Sequence, residues 1–156
     1  MNHAFPYVNA GGFLGLPIAA LPIITLSAGK LHAENRRFAV AGIAWDGCVT
    51  NRPGARFGPN AIRQASHMLC GDEHPLFDTT PVNDTVDVGN LLLPNTSLIK
   101  MREALMPQAA SLIAQHAMVW LGGDHSITLP LLRAYYAQLK KPIAVIHFDA
   151  HCDTWE

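Results

Sequence analysis

Short apolar runs with β-branched residues alternate along this chain with longer segments of helical periodicity. Such alternation is typical of a parallel sheet whose strands are joined by helices packed on its faces. Three runs are almost wholly apolar, as strands buried on both faces should be, and a fourth is weaker. The three strong strand predictions are residues 38–44, 117–121 and 143–148, and the weaker one is 85–88.

Helical patterns fill the segments between these runs. They predict helices over residues 60–68, 97–115 and 127–139, the first of them started by Pro59. Pro107 lies inside the second segment and should kink or break that helix, because proline has no backbone N–H to donate.

The first 37 residues predict an irregular N-terminal arm ahead of a single domain over residues 38–156. Residues 12–26 are nearly all apolar, but the run is shorter than the ~20 residues of a spanning helix and contains Pro17 and Pro22. No positive charge precedes it, as a signal peptide would require. We therefore expect no membrane partner and interpret the arm as a loop that covers the core. A substrate entrance or a subunit contact is the alternative.

Charge and cysteine content narrow the class of function. A chain of 156 residues with 49% hydrophobic content can build one globular core. Its net charge of -1, from 11 basic and 12 acidic residues, offers no basic surface for nucleic acid, so a small-molecule substrate is expected. Three scattered cysteines suggest neither a disulfide framework nor a zinc ribbon, and favour a cytoplasmic protein.

Polar residues suited to a metal follow two of the apolar runs. Asp149, His151 and Asp153 alternate along the chain, so in an extended segment their side chains project toward one face. His125 follows the run at 117–121, and neighbouring strands would bring it to the aspartates, because ligands bind at the carboxyl ends of parallel strands. Two adjacent buried aspartates are costly without a cation. Carboxylates with a few imidazoles favour a hard or borderline ion such as manganese.

Three neighbouring residues have more than one interpretation. Asp124 either accepts a hydrogen bond that orients His125 or is a turn residue. His147 shares the face of Asp149 by alternation but lies inside the predicted strand, so we interpret it as a core histidine with satisfied hydrogen bonds. Cys152 alternates with the ligands and should point away from them.

Three ordered motifs resemble the ureohydrolases, the family of arginase and agmatinase. They are Gly-Gly-Asp-His-Ser at residues 122–126, Phe-Asp-Ala-His-Cys-Asp-Thr at 148–154, and Thr-Asn-Arg-Pro-Gly-Ala-Arg-Phe-Gly-Pro at 50–59, the last followed by Ala61-Ile62-Arg63. The third motif resembles the agmatinase branch, including guanidinobutyrase-like and guanidinopropionase-like enzymes, more than arginase. The resemblance covers the chain from about residue 38 to residue 156.

The resemblance implies a three-layer α/β/α fold with a central, mainly parallel sheet. It also implies manganese-dependent hydrolysis of a guanidino compound to urea and an amine. Agmatine, a compound of polyamine metabolism, is the first expectation, and guanidinobutyrate and guanidinopropionate are the alternatives. Two manganese ions would activate a shared water. Of the metal ligands, His125 and Asp153 would bind one ion and His151 the other, with Asp149 bridging both.

Other parts of the resemblance leave their roles open. Residues 50–59 are glycine- and proline-rich and are as consistent with a structural turn as with a substrate contact. Arg52, Arg56 and Arg63 could equally stabilise subunit contacts. Family members are commonly trimers or hexamers, so we expect a homo-oligomer.

The second half of the family pattern is absent from these 156 residues. Missing are a later histidine for proton transfer, a Ser-x-Asp-x-Asp-x-x-Asp-Pro segment, and an acidic residue that receives the guanidinium. We therefore expect the N-terminal portion of a longer enzyme, incomplete at its C-terminus, with catalytic residues after Glu156. The 156 residues alone should bind manganese weakly and hydrolyse little or nothing.

Two other interpretations are weighed against that one. A truncated, inactive metal-binding or oligomer-forming remnant is the alternative. A deacetylase-like metal hydrolase is disfavoured, because those relatives lack the Gly-Gly-Asp-His-Ser motif.

Overall fold

A computed structural model describes residues 11–19, 37–69, 73–74 and 76–153. Its centre is a sheet of three strands, β1 (Phe38–Gly42), β2 (Thr85–Asn90) and β3 (Ala117–Leu121). The strand order is β2-β1-β3, and both pairs are parallel. Strands predicted at 38–44, 85–88 and 117–121 are therefore confirmed.

Three α-helices pack around this sheet: α1 (Gly58–Ser66), α2 (Leu98–Ile113) and α3 (Thr128–Leu139). Ser97 caps α2, because its side-chain oxygen accepts a hydrogen bond from the backbone N–H of Lys100 at 3.3 Å. Lys140 ends α3 in a left-handed conformation with φ of 54°. All three predicted helices are confirmed.

The helices form layers on opposite faces of the sheet. One face of β1 presents Ala39 and Ala41 to a core that contains buried side chains of α2 and α3, among them Met101. Successive strand residues point to opposite faces, and Gly42 accordingly lies against α1. A Cβ added at Gly42 would be 2.9 Å from the Cβ of Pro59. This arrangement confirms the predicted α/β/α class.

Helix α2 continues through Pro107 as one element, so the break that the sequence offered is wrong, and the kink it offered as the other outcome stays a prediction. The proline deprives the carbonyl of Glu103 of its usual partner, but both residues are exposed and water can reach that carbonyl. On the opposite face, Met101 and Leu105 are 0% exposed. Burying such side chains stabilises the helix by about 1.5–3 kcal/mol each, which offsets a proline cost of about 3 kcal/mol.

The strand predicted at residues 143–148 is wrong for the described structure, where these residues lie outside any strand. Their apolar side chains are largely exposed, with values of 57% for Val145, 84% for Ile146 and 95% for Phe148. A strand forms only where a neighbour supplies the other half of the hydrogen-bond ladder. Among the described strands, none pairs with this segment.

The described part of the arm, residues 11–19, packs against the domain, and residues 20–36 of the arm lie outside the described ranges. The backbone N–H of Phe13 donates to Asp87 Oδ2 at 2.6 Å, and that of Leu14 donates to Ser66 Oγ at 2.9 Å. These contacts agree with a loop that covers the core. Within the described ranges, no helix combines the length and apolar character that crossing a membrane demands.

Candidate metal centre

Two loops at the carboxyl ends of adjacent strands are fastened to each other. From the loop after β3, the backbone N–H of Gly123 donates to the Ile43 carbonyl at 3.2 Å, and that of Asp124 donates to the Trp45 carbonyl at 2.8 Å. A Cβ added at Gly123 would lie 2.3 Å from the Trp45 oxygen and 2.6 Å from the Ile43 oxygen. The second glycine of the Gly-Gly-Asp-His-Ser motif thus allows two backbones to approach closely.

The buried carboxylate of Asp124 joins the same two loops. It accepts hydrogen bonds from the backbone N–H of Cys48 at 2.7 Å, and from the backbone and hydroxyl of Ser126 at 3.0 and 2.5 Å. The indole N–H of Trp45 donates to that hydroxyl at 3.1 Å. These contacts favour the turn interpretation of Asp124, which holds the backbone around His125 through these neighbours.

The motif at residues 50–59 packs beside this junction. A Cβ added at Gly58 would lie 2.8 Å from the carbonyl oxygen of Gly122, so the two motifs meet through glycines. Asp46 forms an ion pair with Arg56 and accepts a hydrogen bond from the Gly54 backbone at 2.8 Å. The hydrogen bond from Arg56, assisted by Gly54, lowers the pKa of Asp46 from 3.8 to about 2. These contacts support a structural role for the motif.

Arg63 forms a second ion pair, and in this one both side chains are buried. Its guanidinium donates to both carboxylate oxygens of Asp87, at 2.7 and 2.8 Å, and to the Asn90 side chain at 2.7 Å. Burial alone would raise the pKa of Asp87, but Arg63 and backbone N–H groups hold it below its ordinary value. Arg56 and Arg63 therefore form ion pairs within the chain, and the subunit contacts that the sequence left open stay predictions.

His125 and Asp153 lie close together on the solvent-exposed side of the two loops that follow β1 and β3. The Nε2 atom of His125 is 2.6 Å from Oδ2 of Asp153, and the two side chains are 54% and 42% exposed. Asp153 adopts a left-handed conformation with φ of 51°, which aspartate tolerates better than most residues. The proximity expected from neighbouring strands therefore exists, although residues 143–148 lie outside the sheet.

Asp149 presents its two carboxylate oxygens to two histidines. Oδ1 accepts the backbone N–H of His151 at 2.8 Å and lies 3.2 Å from Nδ1 of the same residue. Oδ2 lies 3.5 Å from Nε2 of His147. The backbone hydrogen bond from His151 lowers the pKa of Asp149, although burial opposes it. The group is therefore an anion at neutral pH and has a separate oxygen on each side.

His147 belongs to this group, so its interpretation as a core histidine is wrong. Its side chain is 35% exposed, and its ring stacks on that of His125 with centroids 5.4 Å apart. Its position two residues before Asp149 is the sequence signal for this placement. The predicted strand would have buried it, and that strand is not formed.

The chemistry of these side chains fits a divalent cation. One donor atom from each of His125, His147, Asp149 and Asp153 lies within 4.8 Å of the other three. Ligands ~2.1 Å from one ion are at most ~4.2 Å from one another, so these four donor atoms are almost as close together as the ligands of one ion. Carboxylates with imidazoles suit manganese and the borderline ions. Cys152, expected to point away, is exposed and outside this set of four.

The sequence from residue 36 onward matches a known family. A sequence model of the arginase family matches residues 36–156. The chain belongs to the arginase family. An agmatinase of Cronobacter sakazakii is 38% identical to this arginase-family chain over 151 residues, covering 94% of the chain and 46% of the relative. The chain thus spans less than half the length of that relative.

Solved structures share the arginase-family fold with this chain. A hypothetical agmatinase from Burkholderia thailandensis superposes with a TM-score of 0.78 at 30% identity, covering 93% of this chain and 44% of that one. The proclavaminate amidino hydrolase of Streptomyces clavuligerus superposes with a TM-score of 0.77 at 31% identity, covering 95% of this chain and 46% of that one.

Proposed function

We propose that this chain is part of an agmatinase-like ureohydrolase that hydrolyses a guanidino compound to urea and an amine. The observation that carries the proposal is the meeting of His125, Asp149 and Asp153, with His151 beside Oδ1 of Asp149, in an arginase-family chain. Agmatine is the first candidate substrate, because a relative at 38% identity is an agmatinase. Guanidinobutyrate and guanidinopropionate are the alternatives, since a structural neighbour named an amidino hydrolase indicates that family substrates vary.

The residues of the site would hold two manganese ions. His125 and Asp153 would bind one, His151 the other, and Asp149 would offer an oxygen to each. When bound, the ions supply Lewis acidity and an activated water, which the reaction needs because a guanidinium carbon is a poor electrophile. Asp149 contributes its negative charge, which the backbone N–H of His151 stabilises.

We propose that these 156 residues by themselves hydrolyse guanidino compounds slowly or not at all. The support is the sequence, in which the Ser-x-Asp-x-Asp-x-x-Asp-Pro segment expected from the resemblance is absent. Fewer carboxylates leave the positive charge of the ions less compensated and the affinity for manganese weaker. An inactive metal-binding or oligomer-forming remnant is the competing proposal.

Urea release tests both proposals. We would assay agmatine, guanidinobutyrate, guanidinopropionate and arginine with Mn²⁺, using the 156-residue chain and the same chain extended by any coding sequence that follows Glu156. We expect the extended form to prefer agmatine. Activity on arginine alone would overturn the agmatinase-like assignment, and turnover above about 1 s⁻¹ by the 156 residues would overturn their inactivity. Absence of an Asp-x-Asp segment downstream would favour the remnant.

In the same assay, a variant of Asp149 tests the contribution of the metal site to activity. Asp149→Asn should lower the activity of the extended form more than about 100-fold, because it removes an anion shared by both ions. The exposed Asp84 serves as the control, and Asp84→Asn should retain full activity. Homo-oligomer formation and a cytoplasmic location stay predictions, and light scattering on the purified protein checks the first.

A further inference from the structure

Helix α1 has polar side chains on its buried face and apolar side chains on its exposed face. Its buried residues are Pro59, Arg63 and Ser66, and the last two form hydrogen bonds there. A helix on a protein surface normally has the opposite arrangement, with apolar residues toward the core and polar residues toward solvent. Packing against the sheet therefore does not account for the apolar residues of α1.

Six exposed apolar residues form a stripe along the outer side of α1 and the turn that follows it. They are spaced three, four or seven residues apart, which places them on one side of a helix. The turn continues the helix in tighter form, because the backbone N–H groups of Met68 and Leu69 donate to carbonyls three residues earlier. The α1 stripe consists of Phe57, Ala61, Ile62, Ala65, Met68 and Leu69.

The α1 stripe leaves enough apolar surface uncovered for a specific contact. Phe57 is 68% exposed, Ile62 42%, Met68 83% and Leu69 63%. At ~200 Å² for a fully exposed large apolar side chain, these four leave roughly 500 Å² uncovered. Apolar patches of about 300–600 Å² are the largest on a typical monomer and often mark an interaction site. Two stripes that covered each other would bury roughly 1,000 Å², the lower limit for a specific interface.

The order of side-chain sizes along the α1 stripe suits an identical copy. Phe57 and Leu69 are large and lie at its two ends, whereas Ala61 and Ala65 are small and lie between them. In an antiparallel pair, Phe57 of each copy packs beside Leu69 of the other, and the alanines face each other. Small residues at the centre let two helices approach to ~8 Å. None of the six residues is charged, so two identical stripes do not repel each other.

We propose that the α1 stripe is a contact surface between two copies of this chain, related by a two-fold axis. Chain that follows residue 156 is the competing occupant. The inner side of α1 packs on β1 and β2 through Pro59 and Arg63, so the stripe points away from the sheet. Strands added at an edge of the sheet would lie in its plane and not over this outer face. The inference does not depend on the metal centre or on hydrolysis, because no residue of the stripe belongs to that site.

Analytical ultracentrifugation of the purified 156-residue chain tests the proposal, with Ala61→Glu as the variant. Position 61 is exposed and lies near the start of α1, where a negative charge is favourable, so the fold should be retained. We expect the wild type to associate in even numbers of copies. The dissociation constant of Ala61→Glu should rise at least about tenfold, because association would bury a charge without a partner.

Ser111→Glu is the matched control. It adds the same charge on the exposed side of α2, away from the α1 stripe, and should associate like the wild type. Unchanged far-UV circular dichroism of Ala61→Glu shows that weaker association is not a result of unfolding.

A mixture of two variants tests the antiparallel arrangement. Ala61→Glu and Ala65→Lys should each associate weakly when alone. Position 61 of one copy faces position 65 of the other in an antiparallel pair, so mixing the two variants places the new carboxylate beside the new ammonium group. We expect the mixture to associate at least about tenfold more tightly than either variant alone.

Four results would overturn the proposal. The first is a wild type that is monomeric at every concentration up to its solubility limit. The second is association that Ala61→Glu leaves unchanged, which would place the contact elsewhere, for example at the edge of β3. The third is association that disappears when the coding sequence after Glu156 is added, which would identify that segment as the occupant. The fourth is a mixture that stays dissociated. Urea release tests the proposed function separately from all four.

Discussion

At the scale of single residues, buried carboxylates in this chain hold loops while exposed ones face the open site. Asp124 is 8% exposed and accepts hydrogen bonds from Cys48 and Ser126, whereas Asp153 is 42% exposed and meets His125. Both types of aspartate lie within the motifs that the sequence singles out. Only their partners distinguish a residue that fixes the backbone from one that can bind an ion.

Replacing Asp124 should loosen the loop that carries His125. Asp124→Ala removes the acceptor for the backbone N–H groups of Cys48 and Ser126 and for the Ser126 hydroxyl, so we expect the free energy of unfolding to fall by about 1–3 kcal/mol. Affinity for Mn²⁺ should fall about 10-fold, because the backbone around His125 is no longer held. Thermal unfolding and calorimetric titration measure the two effects. Glu103→Ala, an exposed carboxylate on α2, should change neither, and an unaltered Mn²⁺ affinity in Asp124→Ala would refute the positioning role.

Asp46 should make stability depend on pH in the acid range. Its pKa is about 2 when folded, against an ordinary value of 3.8, because Arg56 stabilises the anion. A lowered folded-state pKa gives stability that is present above about pH 4 and is lost as the pH falls toward 2. Asp46→Asn lacks the stability that the ionised carboxylate contributes, so its melting temperature should lie below that of the wild type at pH 6. The difference between the two melting temperatures should narrow between pH 4 and pH 2.

A matched comparison isolates that effect from general acid denaturation. Asp84→Asn removes an exposed carboxylate, and its melting temperature should track that of the wild type at every pH. A gap between Asp46→Asn and the wild type that stays constant down to pH 2 would show that the ion pair with Arg56 contributes nothing to the acid dependence.

At the scale of elements, local sequence signals predict most of the fold. Helix α2 begins after the cap at Ser97, and the all-apolar strands β1 and β3 lie where their sequences predict them. The two errors concern properties that a local pattern does not contain. Pro107 is tolerated because it lies on the exposed face of a helix with a buried opposite face, and residues 143–148 remain outside the sheet because a strand needs a partner.

The junction of the loops after β1 and β3 should be intolerant of any side chain at Gly123. Gly123→Ala places a Cβ at 2.3 Å from the Trp45 carbonyl oxygen, a backbone atom that cannot move without breaking the junction. We expect a loss of about 1–3 kcal/mol or more in the free energy of unfolding, measured by urea denaturation. Gly11→Ala is the matched control, because its added Cβ meets nothing closer than 3.5 Å. Equal stability of the two variants would argue against the close approach.

At the scale of the whole molecule, one buried ion pair connects the arm, α1 and the sheet. Arg63 of α1 and Asp87 of β2 are 2% and 0% exposed, and Asp87 also accepts hydrogen bonds from the arm through Phe13 and Ala19. The arm, the helix and the strand therefore share one electrostatic connection. A charge inside a protein is stable only while such partners remain.

Removing one partner of this pair should cost more than removing both. Arg63→Met leaves Asp87 buried and uncompensated, and we expect a loss of about 3–5 kcal/mol in the free energy of unfolding. The double variant Arg63→Met with Asp87→Leu should recover part of that loss, because no isolated charge remains. Urea denaturation of the wild type, both single variants and the double variant gives the four free energies of unfolding of a double-mutant cycle. Additive losses would mean that the two side chains do not interact.

The sequence by itself determined most of the elements of this arginase-family chain, the motifs that carry the site, and the donors His125, Asp149, His151 and Asp153 as candidates. Periodicity, caps and glycines are local, so they can be read one segment at a time. The tertiary structure decided which residues share the site. It placed His147 beside Asp149 and His125, and it directed the Asp124 side chain to Cys48 and Ser126. Contacts between residues that are distant in the chain depend on how the elements pack, which a local pattern does not contain.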